Sequence, residues 1–146
     1  DSICIAEYVL THVRVYPRYT VVAEKFQVMV SRGIVNSRLK DYHDLWVLTE
    51  RFDFDGKILQ TAIEYTFARR MTIIPSTLPE GLDKTFYENS AKQMQWNAFL
   101  RRAGVARLEL PVIVGRLVEF VRPIIEGKAK SLCWDSARRV WKKNDK

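Results

Sequence analysis

The sequence predicts a single, mainly α-helical domain of about five helices, preceded by a short N-terminal strand. Three observations point there. The 146 residues suit one hydrophobic core, since a chain of that size buries roughly 70% of the surface it exposes when unfolded. The composition, 47% apolar and 28% charged, is that of a globular chain and far from a disordered one. Apolar residues recur at intervals of three and four along most of the length, interrupted by glycine, proline and capping residues. No internal repeat or low-complexity segment divides the chain, so residues 1–146 read as one domain.

At the N-terminus, "HVRVYP" alternates Val13 and Val15 with Arg14 and Tyr16, a strand pattern that Pro17 stops. From Thr20 to about Arg32, Val21, Val22, Phe26, Met29 and Val30 recur at helical spacing, and Gly33 marks the end. Lys25 lies inside this stripe, three residues after Val22 and four before Met29, so its stem packs with the apolar face. Glu24 and Gln27 point elsewhere. Asn36 and Ser37 can cap a second helix from about Arg38 to Glu50, whose stripe is Leu39, Tyr42, Leu45, Trp46 and Thr49. Asp41 and Asp44 share a flank of it, and Asp41 falls in the first turn, where the helix dipole favours a carboxylate.

A third helix follows Asp55 as its cap, with Ile58, Leu59, Ala62, Ile63, Thr66 and Phe67 inward and Arg69 and Arg70 at its end. "MTIIPSTLPEGLDK" reads as a long, mobile connection. Ser90 with Gln93 has the capping-box pattern for a fourth helix, carrying Trp96, Phe99, Leu100 and Ala103 and closed by Gly104. Pro111 opens a fifth, with Ile113, Leu117, Phe120, Val121 and Ile124 inward, and Pro123 bends or ends it. The tail predicts a short helix around Ala137 to Lys142, with Trp134 and Trp141 anchoring it to the body.

Lys and Arg outnumber Asp and Glu by 24 to 17, a surplus of +7 partly concentrated in "KAKSLCWDSARRVWKKNDK". Such a surface attracts polyanions. Cys4 and Cys133 lie far apart in a chain without a secretory signal, which predicts reduced thiols and a cytoplasmic setting. No apolar run reaches the ~18–20 residues of a membrane span. The chain opens on Asp1 in place of Met, as a segment of a longer gene product would.

His12, His43, Cys4 and Cys133 lack zinc-finger spacing and read as surface or packing residues. No G-x-S-x-G, P-loop or G-x-G-x-x-G occurs, which leaves hydrolase, kinase-like and dinucleotide-binding readings without support. "FDFDG" at 52–56 contains a D-x-D pair, but its position before a helix makes both aspartates caps. The constellation that stands out is Lys25 with Asp41 and Asp44, on neighbouring helices joined by a short loop. Spacing alone is compatible with an ion pair that serves only the fold, because a buried lysine generally needs a carboxylate.

"VRVYPRYTVVAEKFQVMVSRGIVNSRLKDYHDLWVL", followed by "FDFDGKILQTAIEYTFARR" and "AKQMQWNAFLRR", resembles the C-terminal half of the AbiEii/AbiGii nucleotidyltransferase toxin family of type IV toxin–antitoxin systems, in order from about Val13 to Trp141. The resemblance rests on A-E-K at Ala23 to Lys25 together with R-x-K-D-x-x-D-L at Arg38 to Leu45. It implies a minimal nucleotidyltransferase lobe that moves a nucleotide onto an acceptor such as tRNA. Lys25 is implied to reach the triphosphate, with Arg38 and Lys40 beside it on the nucleotide, Asp41 to arrange the catalytic pocket, and Asp44 to support it. It further implies an antitoxin protein and tRNA or another RNA as partners, and magnesium and a nucleoside triphosphate as cofactors of the full-length family. Family members carry, upstream of the lysine, a glycine-serine loop and a D-x-D pair on a strand. Residues 1–12 contain neither, so no metal is expected on this chain, which is expected to be inactive alone. The alternative from another class is a non-catalytic basic helical module that binds RNA or an antitoxin; a decayed remnant is a third.

Overall fold

The computed structural model describes residues 16–35 and 38–145. The expected strand around Val13 and the expected caps Asn36 and Ser37 lie outside them, apart from Tyr16 and Pro17 at the strand's end. Six helices and a small three-stranded antiparallel sheet make up the described residues: α1 (Arg18–Arg32), α2 (Leu39–Arg51), β1 (Phe54–Asp55), α3 (Gly56–Arg69), α4 (Lys84–Tyr87), α5 (Ser90–Ala103), α6 (Leu110–Ile125), β2 (Leu132–Asp135) and β3 (Val140–Lys143). No helix among them is long and apolar enough to cross a membrane.

One core unites these elements. α1 buries Tyr19, Val22, Ala23, Phe26 and Met29 and packs most extensively on α3, where Phe26 meets Phe67 with ring centroids 5.5 Å apart. Burying each of the larger ones, Val22, Phe26 and Met29, contributes about 1.5–3 kcal/mol, which exceeds what intrinsic helix propensity supplies at an ordinary residue. Gln27, expected off the apolar face, is buried as well. Its amide donates to Thr72 Oγ1 at 2.9 Å, which satisfies the polar group and ties α1 to the connection after α3.

α2 packs on α6 and α5. Its Tyr42 ring stacks on Phe86 of α4 at 4.9 Å, and the hydroxyl donates to the Gly81 carbonyl at 2.7 Å. The segment expected to be a mobile connection is therefore pinned at its C-terminal part. Leu82 and Phe86 are fully buried, a 3₁₀ turn spans Glu80–Leu82, and Glu80 Oε1 accepts from Ile34 N just beyond α1. A Cβ at Gly81 would lie 2.9 Å from the Met29 carbonyl oxygen, so glycine allows this close approach.

Asp55 caps α3 as expected, accepting from Lys57 N and Ile58 N. Asp53 does not cap it. Its Oδ1 accepts from the backbone N and Oγ of Ser136, both at 2.9 Å, and so holds the tail. The cap of α5 is Asn89 and not Ser90: the Asn89 side chain accepts from Lys92 N, while Gln93 turns back to the Tyr87 carbonyl. Gly104 ends α5 at φ 67°, and α6 continues two residues past Pro123 to Ile125.

The tail helix expected around Ala137 to Lys142 is instead a β-hairpin. Trp134 and Trp141 are cross-strand partners, and β2 also pairs with β1, in the order β1–β2–β3. Both rings anchor as predicted: Trp134 Nε1 donates to the Thr49 carbonyl at 2.8 Å and Trp141 Nε1 to the Phe120 carbonyl at 2.9 Å. A spacing of seven puts two side chains on one helix face, but it equally makes them partners across a hairpin whose turn lies midway. Arg139, at φ 57°, forms part of that turn.

Two glycine substitutions test this packing with opposite signs. A Cβ at Gly56 would sit 1.9 Å from the Ala129 carbonyl oxygen and 2.5 Å from that of Leu132, both backbone atoms. Gly56→Ala should therefore lower stability by about 1–3 kcal/mol in urea or thermal unfolding. Gly115, in exposed α6 surface with nothing within 4 Å of an added Cβ, should gain about 0.5–1 kcal/mol as Gly115→Ala.

Candidate functional site

Lys25 leaves the buried stripe of α1 between Val22 and Met29, both at 0% exposure, and its ammonium emerges against the first two turns of α2. Nζ donates to Asp41 Oδ1 at 2.9 Å and to Asp44 Oδ2 at 3.2 Å. Asp44 Oδ2 also accepts from Lys40 at 2.9 Å, and Arg38 Nε lies 3.2 Å from Asp41 Oδ2. The five residues singled out in the sequence thus form one chain of alternating charge: Arg38, Asp41, Lys25, Asp44, Lys40. Three cations against two carboxylates leave a surplus of one positive charge.

The middle of that chain is the least solvated. The Asp41 side chain is 7% exposed and that of Lys25 19%, against 53% and 74% for the outer cations Arg38 and Lys40. Burial by itself pulls the Lys25 pKa down, but the hydrogen bonds and charges of Asp41 and Asp44 outweigh it and hold it above its ordinary value. Burial pushes Asp44 up, yet the hydrogen bonds from Lys40 and Lys25 leave it below the usual carboxylate range. Lys25 therefore stays an ammonium at neutral pH, and one of its three N–H donors has no partner among the described residues. Asp41 Oδ2 is buried without a hydrogen-bonded partner, since the Arg38 Nε contact lacks hydrogen-bond alignment.

These groups open onto a cleft of about 540 Å³ between the start of α2 and one face of α5. Lys25, Arg38, Leu39, Lys40 and Asp41 form one wall; Gln95, Ala98, Phe99 and Arg102 form the other. Among the described residues four cations and one carboxylate line it, so the cleft favours an anion. The N-terminus of α2 adds to this, because Arg38 at the cap position makes no side-chain cap hydrogen bond. A second cleft, of about 250 Å³, is also lined by Lys25, Arg38 and Asp41, with Thr20, Glu24 and Arg70. Glu24 pairs there with Arg69 and Arg70.

The α5 wall was not among the residues predicted from sequence. Its signal was present: Gln95, Ala98, Phe99 and Arg102 follow the i, i+3, i+4, i+7 pattern of one helix face, beside the core positions Trp96 and Leu100. His43 packs edge-on to Phe99 with centroids 5.8 Å apart, and burial lowers its pKa despite the nearby charge of Asp44. Cys133 is a free, half-buried thiol, whereas His12 and Cys4 lie outside the described residues.

The magnesium that the resemblance implies would meet two carboxylates here, Asp41 and Asp44, both engaged by lysines. No group of three or more His, Cys, Asp or Glu among the described residues could hold a metal ion, and the two carboxylates of α2 already neutralise Lys25.

The family model described as nucleotidyl transferase AbiEii toxin, Type IV TA system, matches residues 3–113. The matched span contains both walls of the larger cleft and ends within α6. No curated protein and no solved structure matches the chain.

Lys25→Met should cost about 2–3 kcal/mol, because it strands the buried Asp41 carboxylate; solvent contact at the ammonium keeps this below the cost for a wholly buried pair. Combined with Asp41→Asn, the loss should be smaller than the sum of the two single losses, read by a double-mutant cycle in urea. The histidine gives a pH signature. Its folded pKa lies below 6.5, so its contribution to stability is full above that value and is lost as pH falls toward the folded pKa. His43→Phe should flatten the stability profile in that interval, with the Asp44 contribution lost only below 3.8.

Proposed function

Because the chain belongs to the AbiEii nucleotidyl transferase toxin family of type IV toxin–antitoxin systems, we propose that it is the triphosphate-binding, C-terminal lobe of such an enzyme. The observation that carries this reading is the Lys25 ammonium, held 2.9 and 3.2 Å from Asp41 and Asp44 at the edge of a cationic cleft with one donor to spare. Two carboxylates fix the ammonium in place before any ligand arrives, so a phosphate that binds there does not have to order a flexible side chain. Lysine suits this task as a compact cation on a long stem.

In nucleotidyl transfer an acceptor hydroxyl oxygen attacks the α-phosphorus and gives up its proton to solvent, the bond to the bridging oxygen breaks, and pyrophosphate leaves with the electron pair. Lys25, with Arg38 and Lys40, offsets the charge that builds on the leaving group. Asp41 positions Lys25, and Asp44 restrains both Lys25 and Lys40. Carboxylates outside the described residues would hold the magnesium that the reaction uses, and on this reading the 146-residue chain alone transfers no nucleotide. The acceptor is tRNA or another RNA, the controlling partner is an antitoxin protein, and the setting is cytoplasmic.

A second reading, a non-catalytic basic module for RNA or an antitoxin, draws on the exposed hairpin cations Arg138, Arg139, Lys142 and Lys143. Two of these are already engaged, Arg139 by Glu50 and Lys142 by Asp135, which weakens that reading.

Calorimetric titration should show a nucleoside triphosphate bound by the chain and weakened about tenfold or more by Lys25→Ala, the worth of a charge-assisted contact. Unchanged affinity in a folded Lys25→Ala protein would remove the phosphate role. Incubation with magnesium, labelled nucleotides and total tRNA should leave the RNA unlabelled, and incorporation of label by this chain alone would overturn its inactivity. Salt-dependent RNA binding that ignores Lys25→Ala but fails when the hairpin cations are replaced would favour the second reading.

A further inference from the structure

On the premise that Lys25 takes the phosphates, we infer that Gln95 and Phe99 of α5 form a nucleobase-reading wall facing it across the cleft. The size of the cleft is the first ground. At about 540 Å³ it falls within the range of about 300–1,000 Å³ that accommodates whole small-molecule ligands. A triphosphate chain held on Lys25, Arg38 and Lys40 would leave room in it for a ribose and base.

The chemistry of the opposite wall is the second ground. Phe99 is the one aromatic ring among the described residues that line this mostly charged cleft, and it is only half-buried. It does not hang free: Trp96 contacts it at 5.6 Å and His43 at 5.8 Å between centroids, which fixes the ring as a platform. A rigid aromatic surface at an anion-binding cleft suits base stacking, which tolerates every base. Gln95 sits one helical turn before Phe99, about 6 Å along the axis, and is exposed to the cleft. Its amide supplies both donors and an acceptor, so it can tell one base edge from another. Ala98 lies on the same face and adds almost no bulk to the space between the walls.

The division of labour follows: the α1–α2 wall binds what all nucleotides share, and the α5 wall binds what distinguishes them. Gln95 and Phe99 are specificity-determining residues on this view, with no part in the chemical step.

The test compares inorganic tripolyphosphate with ATP, GTP, CTP and UTP by titration calorimetry on the 146-residue chain. The wild type should bind tripolyphosphate and should rank the four nucleotides over a range of about five- to a hundredfold. Gln95→Leu should compress that range, and Phe99→Ala should weaken all four nucleotides by about tenfold, while both leave tripolyphosphate affinity unchanged. Phe99→Leu, which keeps apolar volume against Trp96 and His43, serves as the variant with least risk to folding and should show the same separation. Equal binding of all four nucleotides by the wild type, or equal losses for tripolyphosphate and nucleotides in the variants, would overturn the inference while leaving the phosphate role of Lys25 standing. Failure of the wild type to bind tripolyphosphate would instead sink the phosphate reading, and this inference with it.

Discussion

An ammonium drawn partly out of water between two carboxylates is the constraint around which α1 and α2 are arranged. Removing Lys25 and Asp41 from solvent costs several kcal/mol per charge if they are left apart, and the Coulomb term offsets that cost only at contact distance. The two helices must therefore meet in the one register that brings Nζ within 2.9 Å of Asp41 and 3.2 Å of Asp44. A hydrophobic pair would hold the same helices together without setting the register so narrowly. The arrangement also leaves a surplus of positive charge at the cleft.

Much of the remaining fold keeps that register fixed. α1 is held along its far side by α3 and by the Gln27–Thr72 hydrogen bond. α2 is held at both ends. Near its start, Tyr42 is locked by Phe86 and by the Gly81 carbonyl. At its end, Trp134 hydrogen-bonds the Thr49 carbonyl and Arg139 grips the Glu50 carboxylate at 2.7 and 2.8 Å. The hairpin lies in a span beyond the family match, yet it clamps the helix that carries Asp41 onto α6 through Phe120. Support of this kind is what a preorganised site requires.

The same rigidity extends to the facing wall. α5 is anchored by Trp96, whose Nε1 donates to the Leu108 carbonyl at 2.6 Å, and His43 of α2 touches both Trp96 and Phe99. The two walls of the cleft are thus joined by aromatic packing among His43, Trp96 and Phe99.

What the sequence determined by itself was local. The apolar stripes of α1, α2, α3, α5 and α6, the Asp55 cap, the Gly104 stop and the placement of Lys25 inside a stripe all depend on residues within a turn or two of one another. Helical periodicity reports such relations directly. The joint motif of Lys25 with Arg38 to Leu45 also pointed to the family, because both halves could be read at once. The tertiary structure decided whatever depended on distant partners. The tail became a hairpin because β2 finds β1 some eighty residues earlier to pair with, and the Trp134–Trp141 spacing alone fits helix and hairpin equally. Asp53 became a tether for Ser136 when a cap was expected of it, and the segment before α4 was pinned by Tyr42 from another helix. The α5 wall showed a helix face in the sequence, but only packing revealed that this face looks across a cleft at Lys25, since periodicity records which residues lie together and never what lies opposite them.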